Sequence, residues 1–265
     1  MPRQSARSKS GRTRTNTRSD RSDIRELSQA LMENGRASEV PTKRKKWSIH
    51  DLKHIRALTP MQEDMFQDFF AGNNIIAHGS AGTGKTYIAS FLALTEYLRH
   101  EADIGQIFII RSAVPTRDVG FLPGSIEEKA EQYELPYKDI FADLLGKSNS
   151  YDDMKEAGIV KFCTTSYLRG LTWDNAIIIV DEAQSMTFHE LNTIMTRVGK
   201  NCRIMVCGDL NQNDLNGKNG KSGFGEFLHV ASAMRGFSSI QFTSNDIVRS
   251  DFVKSWIAAC EANGM

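Results

Sequence analysis

Residues 79–86 read Gly79-Ser80-Ala81-Gly82-Thr83-Gly84-Lys85-Thr86, a fit to G-x-x-x-x-G-K-[ST] at every position. Before it, residues 74–78 read as a short strand; after it, residues 85–98 read as a helix. A glycine-rich turn in that setting can aim its backbone N–H groups at an anion, and the positive end of the following helix favours the same charge. The loop formed by Gly79, Ser80, Ala81, Gly82, Thr83, Gly84, Lys85 and Thr86 is therefore expected to cradle the phosphates of ATP. Lys85 would reach the β- and γ-phosphates, and the Thr86 hydroxyl would hold Mg²⁺. The competing reading is a glycine-rich turn with no nucleotide.

Outward from this loop the chain alternates buried strands with amphipathic helices. Strands are expected at residues 106–112, 159–164, 176–181, 203–208 and 239–243, with helices at 127–145, 187–198 and 223–235. That alternation predicts an α/β fold: a P-loop NTPase (RecA-like) of three αβα layers around a mostly parallel sheet. The folded domain is expected to span 47–265.

Two further strand ends carry polar groups. Ile177-Ile178-Ile179-Val180-Asp181-Glu182-Ala183-Gln184 is an apolar strand that delivers two carboxylates, the Walker B arrangement. Asp181 is expected to anchor Mg²⁺, directly or from the outer coordination shell, and Glu182 to orient or deprotonate an attacking water, because phosphoryl transfer needs chiefly positioning and charge neutralisation. Met205-Val206-Cys207-Gly208-Asp209-Leu210-Asn211-Gln212 ends similarly. In a parallel sheet, ligands sit at the carboxyl ends of the strands, which directs Asp209 and Gln212 to the same crevice. Gln212 is suited to sense the γ-phosphate, or is simply a turn residue. Upstream, Gln62 has an amide able to meet the N6/N7 edge of adenine, or is a solvent-facing residue at a helix start. Arg249 and Arg169 are candidates to compensate charge at the γ-phosphate, the alternative for each being a surface ion pair.

Composition limits the rest. Residues 1–46 hold 13 Lys or Arg against 5 Asp or Glu, a net +8, while 47–265 carry −7. The first eighteen residues are too polar to bury a core, and this segment is expected to be a largely disordered basic tail, with a short helical pattern at Ile24, Leu27 and Leu31 behind Ser22. It would serve either as an arm for RNA or single-stranded DNA, or as a solubilising or targeting tail. No run approaches the roughly 18 apolar residues of a membrane span, and no signal peptide is recognisable. A cytoplasmic protein is expected, without a membrane partner. The four cysteines, Cys163, Cys202, Cys207 and Cys260, lack zinc-site spacing and are expected to be buried free thiols.

Taken in order, these motifs resemble the PhoH-like family, phosphate-starvation-inducible ATPases often carried by bacteriophages, whose core is similar to one superfamily 1 helicase motor domain. The resemblance runs from about Leu58 to Val253. It includes Leu58-Thr59-Pro60-Met61-Gln62, the P-loop, Gly120-Phe121-Leu122-Pro123-Gly124 with Lys129, Pro136-Tyr137, Arg169-Gly170, Asp181-Glu182-Ala183-Gln184, Gly208-Asp209 with Gln212, and Asp246-Ile247-Val248-Arg249. The chain departs from the family at Ser80, usually Pro and expected to be silent, at Leu171, usually Arg-like, and at Ser250, usually His. The resemblance implies Mg²⁺-dependent ATP hydrolysis linked to RNA or DNA, in the host cytoplasm if phage-encoded. Since only one motor domain is visible, a homo-oligomer such as a hexameric ring is expected, with Arg249 or Arg169 reaching a neighbour's ATP. An ATP-gated assembly factor without nucleic-acid coupling and a small-molecule kinase are the competing classes, though no Arg-rich lid lies between the motifs.

Overall fold

A computed structural model describes residues 47–99, 103–112, 126–168, 172–210 and 222–262. The basic tail with its helical pattern, the Gly120–Gly124 stretch, Arg169, Leu171 and Gln212 lie outside the described residues. Six strands form one sheet: β1 (Asn74–Gly79), β2 (Gln106–Arg111), β3 (Val160–Thr164), β4 (Ala176–Asp181), β5 (Cys202–Gly208) and β6 (Phe237–Phe242). They lie in the order β3-β2-β4-β5-β1-β6, and every neighbouring pair is parallel. The apolar runs of β1, β2 and β4 are buried throughout their middles, as a sheet covered on both faces requires.

Seven α-helices are described: α1 (Pro60–Phe70), α2 (Lys85–Arg99), α3 (Ile126–Leu145), α4 (Ser150–Glu156), α5 (Phe188–Met195), α6 (Phe224–Ser232) and α7 (Asp251–Ala262). Alternate strand residues feed two separate cores. Ile75, Ile109, Ile179 and Met205 pack with α1 to α4, whereas Ile76, Ile110, Ile178 and Val206 pack with α5 and α6. This is the three-layer αβα arrangement, and the period of two along each strand produces it.

Differences from the expected elements have local causes. β6 begins at Phe237 rather than 239: Ser238 and Ser239 break the apolar pattern but pair with Ile75 and Ile76 at an edge of the sheet. The fifth helix stops at Met195, three residues short of 198, because Val198 bridges to Trp173. Helix α1 was not assigned from periodicity, although Thr59 caps it by accepting from the Gln62 N–H and Pro60 occupies its first turn. Helices α4 and α7 were not expected either. Only Cys207 is a buried thiol; Cys163, Cys202 and Cys260 are half-buried and free, correcting the expectation for those three. Among the described residues no helix is long and apolar enough to cross a membrane.

The strand order matters most for the site. β5 lies between β1, which carries the P-loop, and β4, which carries the two carboxylates. Adjacent strands are about 4.8 Å apart, so roughly 10 Å separates the flanking strand ends. The registers His78 with Gly208, Val180 with Val206, and Arg111 with Asp181 bring four strand ends level.

Candidate active site

The P-loop takes its shape from backbone that side chains resist. Gly79, Gly82 and Gly84 have φ of 112°, 74° and 87°, values that only glycine adopts freely. At Gly79 a Cβ would lie 1.9 Å from the Phe242 carbonyl oxygen, so β6 presses directly on the loop. The Ser80 N–H donates to that same oxygen at 3.1 Å. A proline, usual here in the resembling family, has no N–H to give. The substitution therefore adds a tie between loop and sheet.

Lys85 opens α2 and turns back over the loop. Its Nζ donates to the carbonyl oxygens of Gly79 at 2.8 Å and Ser80 at 2.7 Å. Burial pushes the ammonium below its ordinary pKa, while Cys207, Asp209, Asp181 and Glu182 pull it back. The next residue, Thr86, donates its hydroxyl to Asp181 Oδ1 at 2.8 Å. The other oxygen of Asp181 accepts from Tyr137 Oη at 2.7 Å. Tyr137 lies on α3, fully buried, and burial followed by the Asp181 charge raises its pKa well above the ordinary phenol value. The hydroxyl is thus a firm donor.

Glu182 follows Asp181 with φ 52° and ψ 43°, in the left-handed region. The other described non-glycine residues with positive φ are Asp103, Asn175 and Asn201, types that tolerate this region. Glutamate does not, at a cost of about 1–2 kcal/mol. Strained backbone of this kind collects at functional sites, and here it turns the side chain toward the cleft. Gln184 Nε2 donates to Glu182 Oε2 at 2.6 Å, and Arg111 Nη2 stands 3.9 Å from Oε1. Burial and then Asp181 raise the pKa of Glu182, while Arg111, Gln184 and Lys85 oppose that rise. Gln184 is buried, and its Oε1 accepts from the Asp209 N–H at 3.0 Å, which joins the ends of β4 and β5.

Lys85, Thr86, Arg111, Asp181, Glu182, Gln184 and Asp209 line one cavity of about 970 Å³ at the carboxyl ends of the strands, together with Gln62 and Arg249. Gln62 is buried, with Oε1 accepting from the Leu58 N–H at 2.8 Å and Nε2 donating to the Thr83 carbonyl at 2.9 Å. Its amide is largely occupied in holding the P-loop, leaving one N–H for any base contact. Arg249 sits beside its own P-loop: the Val248 N–H donates to Gly82 O at 3.1 Å, and Arg249 Cγ lies 3.0 Å from where a Cβ on Gly82 would be. Within one chain Arg249 is exposed and stands beside the P-loop of its own subunit.

The structure thus brings together Gly79 to Thr86, Gln62, Asp181, Glu182, Asp209 and Arg249. Sequence reasoning missed Arg111, Tyr137 and Gln184 as members of the site. For Arg111 a signal existed, since a polar residue ends the apolar strand β2 and the strand-end rule applied to β1, β4 and β5 applies there too. Tyr137 and Gln184 stand in motifs that carry the family resemblance, but neither residue was given a role there.

The oxygen donors suit a hard divalent cation such as Mg²⁺. Thr86 and Asp181 already lie within 2.8 Å of each other at the cleft floor. Among the described residues no three His, Cys, Asp or Glu side chains cluster around a metal position. An ion held by one hydroxyl, one carboxylate, waters and phosphate oxygens requires no such cluster.

The parallel sheet, the loop between β1 and α2, and the interposed β5 define a P-loop NTPase. More narrowly, the chain belongs to the PhoH-like family, whose model matches residues 54–261. It is 33% identical over 208 residues to a PhoH-like protein of Bacillus subtilis, spanning 78% of this chain and 64% of that one. It is 36% identical over 178 residues to Protein PhoH of Escherichia coli K12, spanning 66% of this chain and 49% of that one. The chain therefore covers between about half and two thirds of these relatives. Among solved structures, a Pif1 helicase from Candida albicans is similar at 15% identity and TM-score 0.35, over 71% of this chain and 41% of that one. The Sulfolobus solfataricus SWI2/SNF2 ATPase core is similar at 15% identity and TM-score 0.39, over 77% and 49%. Scores this low leave the fold to be read from the sheet itself.

Proposed function

We propose that this protein is an ATPase that cleaves the β–γ phosphoanhydride of Mg²⁺-bound ATP and spends the free energy on RNA or single-stranded DNA. The observation that carries the hydrolytic reading is Glu182: a glutamate held in left-handed backbone, half-buried in the cleft that the P-loop lysine also lines, and oriented by Gln184. Thr86 and Asp181 would hold Mg²⁺, which would supply charge neutralisation at the phosphates. Lys85 leaves the loop carbonyls for the γ-phosphate. Glu182 accepts a proton from water as the water oxygen bonds to the γ-phosphorus, and the bridging oxygen departs with ADP, giving inorganic phosphate. Asp209, one residue past the end of the interposed strand, lines the same cleft and faces the phosphate that leaves.

Arg249 serves the γ-phosphate of ATP bound to its own chain. Its contact with Gly82 supports that reading over one in which a neighbour is needed. Arg249→Ala then lowers kcat, and mixing with Lys85→Ala subunits restores nothing; recovery in the mixture would return the arginine to a shared interface.

The nucleic-acid link rests on the charge of residues 1–46, +8 against −7 for the remainder. Phosphate release is measured with and without single-stranded RNA and DNA, at low and high salt, for the full chain and for a chain starting at Trp47. Stimulation that fades with salt and with the tail removed supports the coupling. Hydrolysis indifferent to nucleic acid, with ATP-dependent association, would favour the assembly-factor reading. Glu182→Gln tests the chemistry itself, with hydrolysis expected to fall about 10²–10⁴-fold while ATP still binds.

A further inference from the structure

Asp181 has two carboxylate oxygens, and each is held from a different side. Thr86, at the start of α2, donates to Oδ1, and Tyr137, from α3, donates to Oδ2. Thr86 is itself a metal-holding group in the proposed function, so it cannot act as a fixed prop for its partner. Tyr137 can. Its ring is fully buried, packs against Phe162 of β3 at 5.9 Å between centroids, and has no opening to solvent. The helix that carries it is fastened to α4 by Lys155 bonded to Glu134 at 2.7 Å, by Lys138 to Asp152 at 2.8 Å, and by the edge-on pair Phe141 and Tyr151.

The neighbouring residue gives this prop its placement. Pro136 interrupts the helix ladder, because it has no N–H for the carbonyl four residues earlier. It lines the cleft while Tyr137, one step on, turns into the core beneath the cleft floor. One turn of α3 therefore meets both the nucleotide cavity and the underside of the β4 strand end.

We infer that Tyr137 is a positioning residue for the metal: its hydroxyl fixes the Asp181 carboxylate in the rotamer that presents the Thr86 side of the group to Mg²⁺. This rests on the reading of Asp181 and Thr86 as the groups that hold the ion with ATP. A carboxylate ligand that loses such an outer partner typically binds its metal 10–100-fold more weakly. Tyr137 touches neither nucleotide nor metal, and its effect passes entirely through Asp181.

The test is calorimetric, with a non-hydrolysable ATP analogue titrated into the full chain at stepped Mg²⁺ concentrations and in EDTA. In Tyr137→Phe, which keeps the ring and removes only the hydroxyl, the Mg²⁺ midpoint is expected to rise about tenfold. Affinity for the analogue in EDTA is expected to match the parent protein. Phe162→Leu loosens the same ring packing without touching the hydrogen bond; it should lower Tm and leave the midpoint in place. A Tyr137→Phe midpoint equal to the parent's overturns the inference, as does an equal shift in Phe162→Leu. A parent protein whose analogue binding ignores Mg²⁺ would instead sink the proposed function, and that result is visible before any variant is made.

Discussion

The middle of the sheet and its carboxyl edge obey opposite rules. In the middle, Ile75 to Ala77, Ile107 to Ile110 and Ile177 to Val180 are buried apolar groups in extended backbone, each contributing to one of two cores. Two residues beyond, the backbone turns left-handed at Gly79 and Glu182, and Lys85, Asp181 and Asp209 crowd into a partly buried cleft. The middle is stabilised by area removed from water, about 25 cal/mol per Å² of apolar surface. The edge carries strained backbone and desolvated charge, both of which cost stability. The difference teaches that here the site is held in place by the sheet and contributes little to holding the sheet together.

Substitutions can break or sharpen that contrast. The largest effect is expected at the edge: Lys85→Ala should cut ATP turnover by on the order of 10³, as loss of a preorganised donor at developing charge does, with Tm unchanged or slightly raised because a partly desolvated ammonium is gone. A steady-state ATPase assay beside a thermal melt checks both halves. Next comes the middle, where Ile179→Ala should cost about 3 kcal/mol in denaturant unfolding, since it lies in the most deeply covered strand and leaves a cavity. Its kcat per folded molecule should stay near the parent's, and a loss of kcat would show that edge and middle are coupled.

A smaller effect is expected where the two regions meet. Gly79→Ala sets a methyl against the Phe242 carbonyl and should destabilise by about 2 kcal/mol, with nucleotide affinity lost as the loop shifts. Smallest is a half-exposed pair at the outer rim of the cleft. Lys53 bonds to Asp143 at 2.9 Å with both side chains about half exposed. Lys53→Ala should change unfolding free energy by no more than about 0.5 kcal/mol, and a larger value would mean that the residues 53–58 wall of the cleft braces the fold.

The legibility of the chain follows the same division. The four inner strands could be placed from apolar runs bounded by polar residues, because burial on both faces leaves a continuous hydrophobic signal, whereas the edge strands β3 and β6 are only partly buried and their signal is broken. The P-loop and the Asp181-Glu182 pair were legible because phosphate chemistry fixes residue types at fixed spacing. Helix α4, seven residues long, was too short for its periodicity to stand out. Tyr137 and Gln184 were visible as motif positions but their roles were not legible, since the groups they join, Asp181 and the Asp209 N–H, lie 44 and 25 residues away. Arg249 had the right residue type, but only the folded chain put it against its own Gly82.

Sequence alone determined the fold class, the phosphate loop and the two acidic residues, because each is written in contiguous residues whose spacing the backbone converts directly into geometry. Tertiary structure alone decided that β5 separates β1 from β4, that Tyr137 and Thr86 share one carboxylate, and that Gln62 is committed to the loop. Strand order and side-chain pairing across the core depend on how distant segments compete for the same buried space, and no local spacing encodes the outcome of that competition.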